Sequence, residues 1–77
     1  MVQSSSPLDD VRTRAQRALG ASPILAIRSL CVESCGESLL ISGHLRSFYH
    51  SQLAQEAVRA VAPHTKVVNS IEVDGTF

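Results

Sequence analysis

Leu39-Leu40-Ile41-Ser42-Gly43-His44-Leu45-Arg46-Ser47, running on as FYHSQLAQEAVRAVA to Ala62, decides the fold. Leu39, Ile41, Gly43 and Leu45 fall on alternate positions, which puts them on one face of a strand at about 38–45. Gly43 interrupts that apolar row. A strand glycine at such a place predicts a bend or a close approach by a neighbouring helix backbone, a structural role rather than a functional one. Ser47 then has the side chain of a helix N-cap. Leu53, Ala54, Ala57, Val58 and Val61 follow at helical spacing, and Pro63 stops the run, so the reading is a helix at about 48–62.

Downstream, Val67, Asn69, Ile71 and Val73 alternate, predicting a strand over Lys66–Val73. A strand–helix–strand unit in one sheet needs a right-handed crossover, so these two strands should be parallel. Upstream, Leu30 and Val32 alternate with Ser29, Cys31 and Glu33, predicting a strand from about Ile27 to Ser34. The turn Ser34-Cys35-Gly36-Glu37 joins it to the next strand. A first helix is read at about 7–19. Ser6 is placed to cap it, Pro7 suits its first position, and Asp9 and Asp10 suit its positive end. Its apolar stripe is Leu8, Val11, Ala15, Ala18 and Leu19, and Gly20 ends it. Ala21-Ser22-Pro23 is a connector, and residues 1–6 and 74–77 are read as frayed tails.

The predicted fold is therefore a single α+β domain over residues 7–73, ordered α-β-β-α-β. Two helices pack on one face of a three-stranded mixed sheet. The opposite face would carry Ser29, Cys31, Leu40, Ser42, His44, Val68, Ser70 and Glu72, with no element left to cover it.

At 77 residues the chain fits one small domain, and a 44% hydrophobic content suits a packed core. Seven basic and seven acidic residues balance. Nucleic acid is thereby disfavoured as a partner, because no basic surface is available to displace phosphate counterions. The arginines between Arg12 and Arg17 are read as solvating their helix. No apolar run approaches the ~20 residues of a bilayer span, and MVQSSSP lacks the apolar centre of an export signal. The expected location is cytoplasmic as written, or that of a larger envelope protein from which the domain is taken.

In Leu39-x-Ile41-Ser42-Gly43-x-Leu45-x-Ser47, with Ala54 and Val58 in the helix and Val67-Val68-Asn69-Ser70-Ile71-Glu72-Val73 closing, the chain resembles the BON domain. That family is a small module of bacterial envelope and stress proteins. The likeness covers about residues 25–73. Pro63-His64 stands where the family usually has Gly-Val. The resemblance implies an α-β-β-α-β fold and a non-enzymatic binding role, either on phospholipid and membrane surfaces or between proteins and domains. No cofactor is implied.

No residues assemble into a catalytic or metal-binding pattern. Cys31 and Cys35 have three residues between them, and His44 and His50 lie on a different strand and a helix, which is a poor match to paired zinc ligands. His64 is read as partly buried and hydrogen-bonded. Asn69 is read as bonding backbone at a strand edge. The candidate interaction face is Cys31, Leu40, Ser42, His44, Val68 and Ser70, with Gly43 and Asn69 structural. Another protein or a sister domain is the expected partner, a membrane surface the next, and a homodimer an alternative. From another class, a KH-like nucleic-acid-binding domain shares the layout, but the chain has no GXXG loop and no net charge.

Overall fold

A computed structural model describes residues 7–74, with side chains from Asp10 onward. The expected Ser6 cap, the contributions of Leu8 and Asp9, and the tails at 1–6 and 75–77 lie outside the described residues.

The elements are α1 (Pro7–Gly20), α2 (Leu25–Arg28), β1 (Cys31–Cys35), β2 (Ser38–Leu45), α3 (Phe48–Val61) and β3 (Lys66–Val73). The sheet order is β1-β2-β3, with β1 antiparallel and β3 parallel to the central β2. This is the expected α+β architecture, with α1 and α3 on one side of a three-stranded sheet.

The stripes and alternations explain the core. Leu39, Ile41 and Leu45 from β2, Val32 from β1, Ala15 and Leu19 from α1, and Ala54, Val58 and Ala62 at α3 are buried together. Alanines at 15 and 54 are fully buried and let the two long helices pack on each other and on the sheet. Val67 and Ile71 close the β3 side, half-buried against the same cluster.

Three expectations need correcting at the connections. Residues 27–30 do not start the first strand. Leu25–Arg28 forms a short helix, and β1 begins at Cys31. Local bonds cause this: Ser22 Oγ accepts from Ile24 N–H at 3.0 Å, and Arg28 Nε donates to Ser22 O at 2.7 Å. Ile27 N–H then donates to Ile24 O and Leu30 N–H to Ile27 O. The resulting turns bury Ile27 and Leu30, each 2% exposed. Ser29 ends this helix instead of standing on the sheet face. The hairpin is also tighter than expected. Cys35 pairs with Ser38, leaving Gly36-Glu37 as a two-residue loop. Gly36 has φ +63°, and among the described residues only it and Gly43 have positive φ, so Glu37 does not; this is the pattern of a II′ turn that follows the twist of the strands. Finally, Asp74 does not fray: its N–H donates to Leu45 O at 2.9 Å and extends the β2–β3 ladder.

Candidate functional site

The bare face of the sheet is built by alternation. With Val32, Ile41 and Leu39 turned into the core, their neighbours must point the other way. The pairing register then fixes the rows. Glu33, Leu40 and Val68 form one row, Cys31, Ser42 and Ser70 the next, and His44 pairs with Glu72 towards one end. Five of the six expected interaction residues thus lie in two adjacent rows, and His44 stands in the third. Leu40 is half-buried and Val68 is 37% exposed, so an apolar centre is present and modest in size. Cys31 and Cys35 are exposed free thiols on this face. Four residues along a strand separate them by roughly 13 Å, too far to bridge within one chain.

His44 sits among acids. Its Nε2 lies 3.2 Å from Asp74 Oδ1 and 3.8 Å from Glu72 Oε1, with all three side chains largely in solvent. Such exposed pairs contribute little to stability. They link side chains at the ends of β2 and β3, alongside the Asp74–Leu45 backbone bond.

Beside this pair, a cavity of about 530 Å³ opens between α2 and the start of α3, lined by Ala26, Arg46, His50 and Asp74 among others. The Ser47 hydroxyl there accepts from His50 N–H at 3.2 Å, the expected cap, so the oxygen is engaged at the helix end. Among the described residues, no three His, Cys, Asp or Glu side chains converge as metal ligands.

Gly43 plays a structural part, with a different neighbour from the one expected. Its φ is +143°, and a Cβ built there would lie 2.5 Å from Leu30 Cδ2. The close approach is made by the side chain of Leu30, in the turn that leads into β1, one step beyond the Cys31–Ser42 pair, and not by a helix backbone. Asn69 bonds backbone at the sheet edge as expected, its Oδ1 accepting from Ile71 N–H at 3.0 Å. Its amide also donates to Ser51 Oγ at 3.2 Å and Gln55 Oε1 at 3.0 Å on α3. His64 is exposed, against the expectation of partial burial, because residues 63–65 turn outward between α3 and β3.

Sequence reading missed a second surface. Among the described residues, the large apolar side chains left exposed besides Val68 are Leu25, Phe48 and Tyr49, at 72%, 73% and 66%. They belong to α2 and the first turn of α3, with Arg28 and Arg46 exposed nearby in sequence. Two aromatics directly after the Ser47 cap were the available signal, since neither lies on the buried stripe of Ala54 and Val58. No helix among the described residues is long and apolar enough to cross a membrane.

Compared with known proteins, the chain matches no family model, no curated protein and no solved structure.

Proposed function

We propose that this protein is a non-catalytic interaction module of BON type that binds another protein or a sister domain through the bare face of its sheet. The observation that carries this reading is one-sided packing. All the helical cover lies on one face, and the other presents Leu40 and Val68 in a row with Glu33, between Ser38 and Lys66 on one side and Cys31, Ser42 and Ser70 on the other. A polar-rimmed apolar centre is the usual composition of a protein contact.

The size of the face bears on the partner. Three strands at ~4.8 Å spacing and about 25 Å of strand length give roughly 300–400 Å² per partner. Stable complexes bury ~800 Å² per partner. Two copies meeting by this face alone would therefore associate weakly, and a tethered sister domain, whose effective concentration is high, fits better.

The test is amide chemical-shift mapping of two copies joined by a flexible linker, compared with the single domain at up to about 1 mM, the weak end of the affinity scale. Shifts confined to Leu40, Ser42, Val68 and Ser70, and abolished by Leu40→Lys with Val68→Lys, are the expected result. Unchanged spectra throughout, with the double lysine variant indistinguishable from the parent, defeat the reading.

A phospholipid surface is the second reading, supported by a different observation. Leu25, Phe48 and Tyr49 stand exposed with Arg28 and Arg46 in the flanking sequence. Aromatic rings and arginines suit the headgroup level of an anionic bilayer. Salt-sensitive co-sedimentation with anionic vesicles, lost in Phe48→Ser with Tyr49→Ser, is its expected signature. Lipid binding that survives that double change counts against it.

A further inference from the structure

We infer that each edge of this sheet is blocked at one point by a side-chain amide, Gln16 at the start of β1 and Asn69 midway along β3, so that the module meets partners by its face or end and not by adding a strand. Open edges are the sites where sheets recruit further strands, from partners or from further copies.

On β1 the closure is bidentate. Gln16 reaches from α1, which packs beside the strand. Its Nε2 donates to Leu30 O at 2.9 Å, and its Oε1 accepts from Val32 N–H at 2.8 Å. A carbonyl at one residue and an N–H two residues on are the pair that one residue of a parallel neighbour would take. The primary amide supplies the same donor and acceptor in one side chain. The strand is also only five residues long, which leaves Ser34 as its other outward-facing backbone position.

On β3 the geometry follows from alternation. Asp74 N–H donates to Leu45 O, so Asp74 faces β2, and with it Glu72, Ser70, Val68 and Lys66. The backbone groups of Val67, Asn69, Ile71 and Val73 then face the free edge. In their midst, the Ile71 N–H is taken by Asn69 Oδ1 at 3.0 Å. The Asn69 amide is in turn held by Ser51 and Gln55 of α3, which fixes its orientation. An incoming strand would have to displace a side chain anchored at three points.

The first test is amide hydrogen exchange on the whole chain. Val32 and Ile71 have no strand partner for their N–H groups, yet each has a side-chain acceptor. Their exchange, corrected for intrinsic rates, should be roughly two- to tenfold slower than that of Ser34 and Val67, as one net hydrogen bond implies. Gln16→Ala should remove the difference at Val32 alone. Asn69→Ala should remove it at Ile71, whereas Asn69→Asp keeps the acceptor and the protection. The second test is light scattering with size-exclusion chromatography over a concentration series. The Gln16→Ala/Asn69→Ala double variant should gain mass relative to the parent, with residues 67–73 becoming protected as it does. Parent amides at Val32 and Ile71 that exchange as fast as Ser34 and Val67 overturn the inference. So does a folded double variant whose mass follows the parent throughout. Should the double variant not fold, the exchange measurement on the parent decides alone.

Discussion

Replacing Gly43 with alanine tests the packing of the whole sheet. Two separate costs are visible. The φ of +143° is a region that residues with a Cβ rarely occupy, and holding alanine there costs ~1–3 kcal/mol. The new Cβ would also lie 2.5 Å from Leu30 Cδ2. Leu30 is 2% exposed, so its methyl has no open solvent to move into. Forcing it aside adds ~1–3 kcal/mol of overpacking. The sum, ~2–6 kcal/mol, compares with a total stability of ~4–12 kcal/mol for a chain of 77 residues. With a urea m-value of ~1 kcal/mol/M at this size, the midpoint should fall by about 2 M or more.

The two costs can be separated by a cycle with Leu30→Val, which removes the clashing carbon and on its own costs ~0.5–1.5 kcal/mol as a one-carbon truncation. In the double variant the clash is gone and the backbone strain remains. The costs should therefore be sub-additive by ~1–3 kcal/mol. Gly36→Ala is the control: its φ is +63° but nothing lies within 4 Å of the added carbon, so only ~1–2 kcal/mol should be lost. Urea denaturation followed by far-ultraviolet circular dichroism reads the four variants against the parent. A Gly43→Ala midpoint within ~0.5 kcal/mol of the parent would refute the reasoning altogether. Strict additivity with Leu30→Val would refute the contact and leave only the strain.

Two further outcomes follow from the same geometry. Ser47→Ala should cost about 1 kcal/mol by freeing the His50 N–H that Ser47 Oγ accepts, lowering the melting temperature by ~4–8 °C, while Ser47→Asp should keep most of the stability. Leu39→Ala should cost ~2–5 kcal/mol because Leu39 is fully buried. The same change at half-buried Leu40, its neighbour on the bare face, should cost well under half as much in a parallel urea titration.

The bare face was legible because alternation is a local property. Once Leu39, Ile41 and Leu45 are assigned inward, Leu40, Ser42 and His44 can only point outward, and the parallel register carries Val68 and Ser70 alongside. Leu25, Phe48 and Tyr49 were not legible in the same way. An apolar residue in a sequence is expected to be buried, and whether another element covers it depends on where the chain passes. α2 shows the same limit. Ile24, Ile27 and Leu30 recur every three residues, a helical spacing, but a run that short also reads as a strand until Ser22 and Arg28 close it locally.

By itself the sequence determined the two long helices, the three strands, the parallel crossover and the side of the sheet left bare. Each rests on residue period, capping chemistry or connection length, which neighbouring residues set. The tertiary structure alone decided which groups meet across the fold. It set Leu30 over Gly43, Gln16 on the outer backbone of β1, and Asn69 between its own strand edge and the flank of α3. Gln16 and Val32 are sixteen residues apart, and Asn69 and Ser51 eighteen. No local pattern encodes such pairs, because their geometry exists only once the helices have packed on the sheet.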